Sequence, residues 1–303
     1  MSGISTNRTN VTLPTDLSRE IMQKTQDSSA VMRLARRILL PGRGLSIPVI
    51  SGDPAATWVD ETDAKTSANP TLSTKTMKGQ TLAVIVPFSN QFRRDLAALY
   101  DAIVERLPGA LGLKIDQTIV GTSAPGTGFE VLGTCTAQSL IATESHTAYK
   151  GLVNAYTDIA DHGGAMNGIA LSPAAEGILL GAVDTTCRPI FVGSVAGNDV
   201  APILGSRVER GRGVYKAGTA PSGSSTPGTP AIVGIAGDWT QAVYGVVEDD
   251  VQISITDAAT ITVGSDQINL WERNMFAVRA EIEVGFVADA ACFNLLTGAI
   301  PQA

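Results

Sequence analysis

A long polar stretch lies between two strand-like segments in the N-terminal third of the chain. The segments "GLSIPVIS" (44–51) and "QTLAVIVPFS" (80–89) enclose "WVDETDAKTSANPTLSTKT" (58–76). This spacing predicts a long two-stranded finger with a polar tip, and Pro87 is expected to end the returning strand. Hairpin loops usually have about two to five residues, and an isolated ribbon is barely stable in water. The finger therefore needs an explanation beyond its own two strands.

Composition places the chain among folded proteins with a large neutral surface. It has 303 residues, of which 44% are hydrophobic and 17% are charged. The length is sufficient for a proper core, and the hydrophobic fraction excludes a disordered chain. Because the charged fraction lies below the usual quarter, we expect part of the surface to be buried against other copies of the same chain.

The net charge of −7 is unevenly distributed along the sequence. Residues 1–45 contain seven basic and three acidic residues, a net charge of +4, so the remainder carries −11. A basic arm on an acidic body can bind nucleic acid, or it can bind the acidic body of a neighbouring subunit. Dispersed basic residues make a weak nucleic-acid footprint, which favours the second interpretation and leaves the first open.

Cysteine usage and apolar runs indicate the compartment. Cys135, Cys187 and Cys292 are far apart and odd in number, so they predict neither a disulfide framework nor a zinc site. A reducing compartment fits best. The polar start "MSGISTNRTN" has no signal-peptide pattern, and no apolar run reaches the ~18 residues of a membrane span. We therefore expect no membrane partner.

The basic arm carries two helical patterns. The segment "LPTDLSREIMQKTQDSSAVMRLARR" (13–37) predicts two short helices, and Ser28 or Ser29 is expected to cap the second. Because the segment is short and follows a polar, extended start, we expect an arm that contributes little to a core.

A longer helical pattern follows the finger. Residues 89–122 carry an apolar stripe at spacings of three and four, which predicts a helix capped by Ser89 or Asn90. Pro108 is expected to kink or break this helix, and Gly121 is expected to end it. The pattern indicates one long kinked rod.

The C-terminal half alternates helices and strands. A helix is predicted within 146–164, a buried strand within 166–172 and a further helix that starts with a Ser-Pro pair. Trp239 is interpreted as a packing residue at the start of a strand. The alternation within 268–296 predicts long antiparallel strands.

Motifs for catalysis or metal binding are missing at recognisable spacings. The sequence has no phosphate-binding loop ending in Lys-Ser/Thr and no G-x-S-x-G motif, and His146 and His162 lack metal spacing. The acidic run 248–250 is interpreted as a solvated turn in preference to a metal site. We expect no enzyme activity, no cofactor and no metal; an unrelated α/β enzyme remains the third alternative.

The order of the elements is basic arm, long finger, long helix, α/β layer and long terminal strands. In this order the chain resembles the tailed-phage major capsid proteins of the Hong Kong 97 type, over most of its length. The most specific part is 58–95, where a Trp and an acidic residue open the extended loop of that family, and where Ser89, Phe92 and Asp95 stand at the start of its spine helix. Further similar segments are "KIDQTIVGT" (114–122), "NGIALSPAAEGIL" (167–179), "PILGSRV" (202–208), "GDWTQAVYGV" (237–246) and "NMFAVRAEIEVGFVADAACFNL" (274–295).

The resemblance implies an α+β fold class, the phage major capsid fold. Its parts would be an N-terminal arm, an extended β-hairpin loop, a peripheral domain with the long spine helix, and an axial domain. The implied ranges are 1–44 for the arm, 45–89 for the extended loop, 90–135 and 264–291 for the peripheral domain, and 136–263 and 292–303 for the axial domain.

The resemblance also implies a function and a location. The finger would lie across a neighbouring subunit, which would stabilise its ribbon. The chain would be a major capsid protein that self-assembles into pentamers and hexamers of an icosahedral tailed-phage head enclosing double-stranded DNA. It would be found in the virion capsid, and in the host cytoplasm during assembly. An encapsulin-like nanocompartment shell, which would hold cargo enzymes, is the alternative use of the same fold.

Several residues and partners follow from this resemblance. The implied partners are many copies of the chain, a portal, packaged double-stranded DNA bound non-specifically, and a decoration protein. No long charged helical segment precedes the arm, so we expect a separate scaffolding protein or none. Lys65, Lys75, Lys78 and Asn294 are the residues available for an intersubunit crosslink, although salt bridges are the favoured interpretation. The expected intersubunit contacts are Trp58, Glu61, Lys65, Lys75, Lys78, Arg33, Arg36 and Arg37.

Overall fold

The structure is a computed structural model that describes residues 15–51, 58–59, 71–91, 96–143, 147–183, 186, 188–191, 202–222, 227–247, 251–264 and 266–301. Its helices are α1 (Thr15–Ser28), α2 (Ala30–Leu34), α3 (Leu96–Val120), α4 (Ala148–Asp161) and α5 (Pro173–Leu180). Its strands are β1 (Arg36–Leu39), β2 (Leu45–Ser51), β3 (Thr71–Met77), β4 (Gln80–Ser89), β5 (Thr136–Ser139), β6 (Gly168–Leu171), β7 (Arg207–Arg210), β8 (Ile232–Gly237), β9 (Ala242–Val246), β10 (Gln252–Thr256), β11 (Thr260–Val263), β12 (Asp266–Asn269), β13 (Met275–Ala288) and β14 (Phe293–Thr297). This mixture of helices and sheets agrees with the predicted α+β class.

The long sheet contains β1, β4, β9, β10 and β13, with β13 at its centre. β4 runs antiparallel to β13, from Met275 opposite Ser89 to Val284 opposite Gln80. β10 and β9 are also antiparallel to β13, and β1 is parallel to β9. The long antiparallel strands predicted near the C-terminal end are therefore confirmed.

The compact sheet has the order β5-β14-β8-β6-β7, and it packs against α4 and α5. Leu152 of α4 and Leu179 of α5 are fully buried in this layer. Ser172 caps α5 by accepting a hydrogen bond from the Ala175 N–H at 3.3 Å, and Pro173 occupies the first turn. The predicted strand–Ser-Pro–helix order is confirmed.

Trp239 joins α2, β6 and β14 in the core. Its ring lies edge-on to Phe293, with the two ring centres 5.2 Å apart. The indole Nε1–H donates a hydrogen bond to the Gly168 carbonyl oxygen at 2.9 Å. Both the apolar body and the polar atom of the indole are thus satisfied, which confirms the predicted packing role.

The arm helices form part of the main core, so the prediction that the arm contributes little to a core is wrong. Ile21 of α1 and Val31 of α2 are fully buried. The apolar stripe of α3 needs a cover, and α1 lies against it. The predicted stripe is confirmed in the second half of α3 by the buried residues Leu107, Leu111, Ile115 and Ile119.

The finger is built from different strands than expected. β2 pairs with β3, from Leu45 opposite Met77 to Ser51 opposite Thr71. The polar segment before Met77 was predicted as part of the tip, but it forms the returning strand. β4 instead belongs to the long sheet, because its alternating apolar residues pack against the main core.

Pro87 does not end its strand. β4 continues to Ser89, and Pro87 lies opposite Ala277. Among the described strands β4 pairs with β13 alone. Proline is tolerated at such a sheet edge because its missing N–H can face away from the partner strand.

The segment before α3 is described only in part. Ser89 ends β4, and the Asn90 N–H donates a hydrogen bond to the Asn274 carbonyl oxygen at 3.1 Å. Residues 92–95 lie outside the described residues, so the cap at Ser89 or Asn90 stays a prediction. α3 begins at Leu96 and continues through Pro108, and it ends before Gly121 as expected.

The sheets cross the predicted domain ranges. β9 and β10 fall within the range 136–263 assigned to the axial domain, but they pair with β13 of the peripheral range. β4 falls within the range 45–89 assigned to the extended loop, and it also pairs with β13. The division into arm, loop and two domains stays a prediction.

Candidate assembly surfaces

A small buried cluster fixes the base of the finger. Met77, at the end of β3, is fully buried and packs with Leu40 and Val287. Gly44 precedes β2 with a φ of 84°, and a Cβ there would lie 2.6 Å from the Met77 carbonyl oxygen. The chain can enter β2 at this point because glycine adopts positive φ and has no side chain.

A charged contact holds β3 against the body beside this cluster. Lys75 Nζ lies 3.2 Å from each carboxylate oxygen of Glu130, and it donates a hydrogen bond to the Ala288 carbonyl oxygen at 2.9 Å. Glu130 Oε2 also accepts a hydrogen bond from the Ala288 N–H at 2.9 Å. Lys75 thus has partners within its own chain, and its contact with a neighbouring subunit stays a prediction.

The other predicted finger residues differ in exposure. The Trp58 side chain is fully exposed, and Lys78 is exposed at the foot of the finger. Glu61 and Lys65 lie outside the described residues. An uncovered indole exposes a large apolar area to water, so Trp58 is suited to contact with another molecule.

A buried carboxylate attaches the arm to the long helix. Asp116 of α3 accepts hydrogen bonds from the Ser29 hydroxyl at 2.5 Å, the Ala30 N–H at 3.0 Å and the Val31 N–H at 3.2 Å. The first N–H groups of a helix have no partner within it, so Asp116 satisfies the start of α2. Burial raises the pKa of Asp116 to about 6, although these hydrogen bonds and the Arg33 guanidinium act to lower it.

The predicted arm arginines fall into two groups. Arg33 Nε lies 2.6 Å from Glu209 Oε2, and the guanidinium also donates to the Arg210 carbonyl oxygen at 2.6 Å. These contacts fasten α2 to β7. Arg36 and Arg37 lie on β1 and are exposed. Contact of all three arginines with a neighbouring subunit stays a prediction.

Asn294 is not accessible to another chain. Its side chain is fully buried, and Nδ2 donates hydrogen bonds to Asp158 Oδ2 at 2.8 Å and to the Ala155 carbonyl oxygen at 3.4 Å. A crosslink between subunits requires an amide that a lysine of another copy can reach. The proposal of Asn294 as a crosslinking residue is therefore wrong.

Exposed apolar side chains outside the finger were missed by sequence reasoning. Trp271, in the turn between β12 and β13, is 76% exposed, and Leu39 of the outer strand β1 is 67% exposed. Turns favour small and polar residues, so the tryptophan in "LWERN" was the available signal. Leu39 gave no such signal, because the apolar run 38–40 after two arginines does not distinguish an edge strand from a central one.

The described residues contain no group of three or more His, Cys, Asp or Glu side chains that could hold a metal ion. None of the described helices is long and apolar enough to cross a membrane. Cys135 and Cys292 are free thiols, and Cys187 lies outside the described residues. The acidic run 248–250 also lies outside them.

Comparison with known proteins gives a consistent match. Residues 9–297 match the family described as "Phage capsid family". The chain is 26% identical over 298 residues to the "Probable major capsid protein gp17" of Mycobacterium phage D29, covering 95% of this chain and 90% of the relative. It is 28% identical over 288 residues to the protein of the same description from Mycobacterium phage L5, covering 90% of this chain and 85% of the relative.

Solved structures share the fold. A chain from Mycobacterium phage Cain superposes with a TM-score of 0.69 at 20% identity, covering 91% of this chain and 92% of that chain. The "Capsid of empty GTA particle computed with C5 symmetry" superposes with a TM-score of 0.61 at 16% identity, covering 90% of each chain. The predicted fold class is thereby confirmed.

Proposed function

Because this chain belongs to the phage capsid family, we propose that its copies join as pentamers and hexamers of an icosahedral tailed-phage head that encloses double-stranded DNA. The chain is a major capsid protein, a structural subunit of a phage capsid, and its place is in the virion. Self-assembly into a shell follows from this role.

The observation that supports the proposed arrangement is the finger. Among the described strands, β2 and β3 pair only with each other, and Met77, Ile47 and Lys75 at their base contact the body. Such a ribbon is barely stable alone. A neighbouring copy that lies under the finger would stabilise it, and would also cover exposed apolar residues such as Trp58.

We further propose the partners of assembly. A separate scaffolding protein and a portal would act during assembly in the host cytoplasm, and a decoration protein would bind the finished shell. Packaged double-stranded DNA would be held without sequence-specific contacts. The chain would act mechanically, without a catalytic site. These proposals rest on the family and on the fold, and each needs its own measurement.

The encapsulin-like shell is the less favoured use of the fold. The curated relatives described above are phage proteins, and both are described as major capsid proteins. An unrelated α/β enzyme, the third alternative, is overturned because the family match covers residues 9–297.

Negative-stain microscopy of the purified chain, with light scattering on the same sample, tests the proposal. We expect shells, tubes or ring-shaped capsomers. A sharp monomer at every concentration, even when a scaffolding protein is supplied, would count against the assembly proposed here. A small closed shell formed by the chain alone, with a captured cargo peptide, would instead favour the encapsulin-like alternative.

A further inference from the structure

The finger leaves the body through two short connections. One is residues 40–44, between β1 and β2, and the other is the pair Lys78 and Gly79, between β3 and β4. β3 and β4 follow each other in sequence but belong to different sheets. Two short connections of this kind fix where the ribbon is attached to the body. The angle between the ribbon and the body is then set by the contacts next to the connections.

Lys75 is the contact best placed to fix that angle. It lies opposite Ile47 in the ribbon, at the level where Ile47 still packs against the Met77 cluster. The next described side chain toward the tip, Thr74, is exposed. Lys75 joins the ribbon to the body at this level, through Glu130 and the Ala288 carbonyl oxygen.

We propose that Lys75 and Glu130 form a latch that sets the angle at which the finger leaves its own subunit, and that this angle determines the curvature at which subunits join. This inference rests on the proposed function, because it takes the finger as a contact with a neighbouring copy. It assigns Lys75 a positioning role within its own chain in place of the expected salt bridge between subunits.

The arrangement has the geometry of a latch. The two oxygens of Glu130 and the carbonyl oxygen of Ala288 surround one ammonium group, and the Ala288 N–H holds the carboxylate in place. Strands rise by about 3.3 Å per residue, so Thr71 lies about 13 Å beyond Lys75. A rotation of about 10° at Lys75 would therefore move Thr71 by about 2 Å, and more distant parts of the finger by more.

The contact between Lys75 and Glu130 is strong enough to favour one angle of the finger and weak enough to break. The Lys75 and Glu130 side chains are 32% and 37% exposed, so solvent screens their attraction. The hydrogen bonds to Ala288 are assisted by charge, which strengthens them relative to neutral ones.

The test uses the full chain with four single substitutions and one double substitution. Lys75→Met keeps the length of the side chain and removes its charge, and Glu130→Gln keeps an acceptor for the Ala288 N–H. Lys114→Met is the matched control, because Lys114 is an exposed lysine of α3 that lies outside the finger and outside the expected intersubunit contacts. Hydrogen exchange of the β2 and β3 amides measures the ribbon, and electron microscopy measures shell diameters.

We expect the ribbon amides to exchange about fivefold faster in Lys75→Met and in Glu130→Gln, as for the loss of one partly exposed charged contact. Both variants should also broaden the distribution of shell diameters, and Lys75→Arg should restore it. The double variant should be no worse than either single one, because the residues act as a unit. Lys114→Met should match the unchanged chain in both measurements.

Two results would overturn the latch. One is unchanged exchange in Lys75→Met and Glu130→Gln, and the other is faster exchange with unchanged shell diameters. If the unchanged chain forms no shell under any condition, the proposed function fails. The exchange measurement on the free subunit then still decides whether Lys75 and Glu130 hold the finger.

Discussion

Asp238 Oδ1 accepts a hydrogen bond from Asn167 Nδ2 at 2.8 Å, and this contact ties the end of β8 to the start of β6. Asp238 also accepts from the Ala165 N–H at 3.1 Å and from both the N–H and the hydroxyl of Thr240. Burial acts to raise the pKa of Asp238, but the hydrogen bonds from Thr240, Ala165 and Asn167 outweigh it and lower the pKa. One carboxylate therefore orders the turn that carries Trp239.

Asp238→Ala is expected to destabilise the free subunit by about 2–4 kcal/mol, because several donors lose a charged acceptor at once. Asp289→Ala is the matched control: Asp289 caps a similar turn but accepts a single hydrogen bond there, from the Ala291 N–H. Its expected cost is about 0.5–1 kcal/mol. Denaturant unfolding of both variants checks the difference, and equal effects would contradict the role given to Asp238.

Gly237→Ala is expected to destabilise the subunit by about 1–3 kcal/mol through overpacking. A Cβ at Gly237 would lie 2.1 Å from the ring of Phe293, which is fully buried and cannot move aside. Gly177→Ala, on the exposed side of α5, has no atom within 4 Å of its new Cβ. It is expected to stabilise the subunit by about 0.5–1 kcal/mol, because alanine favours a helix over glycine.

Thermal unfolding of the Gly237→Ala and Gly177→Ala variants compares their effects on stability. The two substitutions add the same methyl group, so their difference reports the space around each residue. A rise in melting temperature for Gly237→Ala would show that β8 and β14 lie further apart than described.

Local features were predictable from the sequence. The caps Ser29 and Ser172 were identified because the signal for a cap lies within four residues of the helix it starts. Gly163 gives a similar local signal at the end of α4, where its φ is 77° and glycine is the residue that adopts this conformation without strain.

Contacts between distant segments were not predictable. The polar strand β3 looks like a loop until its pairing with β2 is known, because Thr and Lys give no buried face. Asp116 lies 87 residues from Ser29, so nothing near it in the sequence indicates that it caps another helix. Lys75 was expected to contact a neighbouring subunit. Its contact with Glu130 was not predicted, because the two residues are 55 positions apart in the sequence.

Asp116→Ala is expected to destabilise the free subunit by about 2–4 kcal/mol, because the Ser29 hydroxyl and two N–H groups of α2 lose their buried acceptor. Asp161→Ala, a substitution of an exposed aspartate at the end of α4, is the control and should change stability by less than about 0.5 kcal/mol. Denaturant unfolding measures both. An effect of Asp116→Ala as small as that of the control would contradict the attachment of the arm through this carboxylate.

The pH dependence of Asp116 has a defined sign. Its pKa in the folded chain is about 6, above the ordinary aspartate value of 3.8, so the folded state binds the proton more tightly than the unfolded state. The contribution of this group to stability is therefore fully present below pH 3.8 and is lost as pH rises through about 6. The loss amounts to about 3 kcal/mol at most.

Asp116→Asn removes the titrating proton and keeps an oxygen acceptor, so it is the reference for this effect. The free energy of unfolding of the unchanged chain, relative to Asp116→Asn, should fall between pH 4 and pH 7. Unfolding by denaturant at several pH values measures this difference. If the free energy of unfolding relative to Asp116→Asn stays constant or rises with pH, this would contradict the raised pKa of Asp116.

Trp271→Ala is expected to weaken assembly without weakening the subunit. The side chain is 76% exposed in the turn between β12 and β13, so the free subunit loses little packing, and its stability should change by less than about 0.5 kcal/mol. Trp239→Ala is the matched control, because the same substitution at a buried indole should destabilise the subunit by about 3–5 kcal/mol. Tryptophan is among the residue types enriched at the energetically dominant positions of protein interfaces, so the concentration needed to form shells should rise for Trp271→Ala. Sedimentation across a concentration series measures that threshold, and an unchanged threshold would mean that Trp271 stays in water after the subunits join.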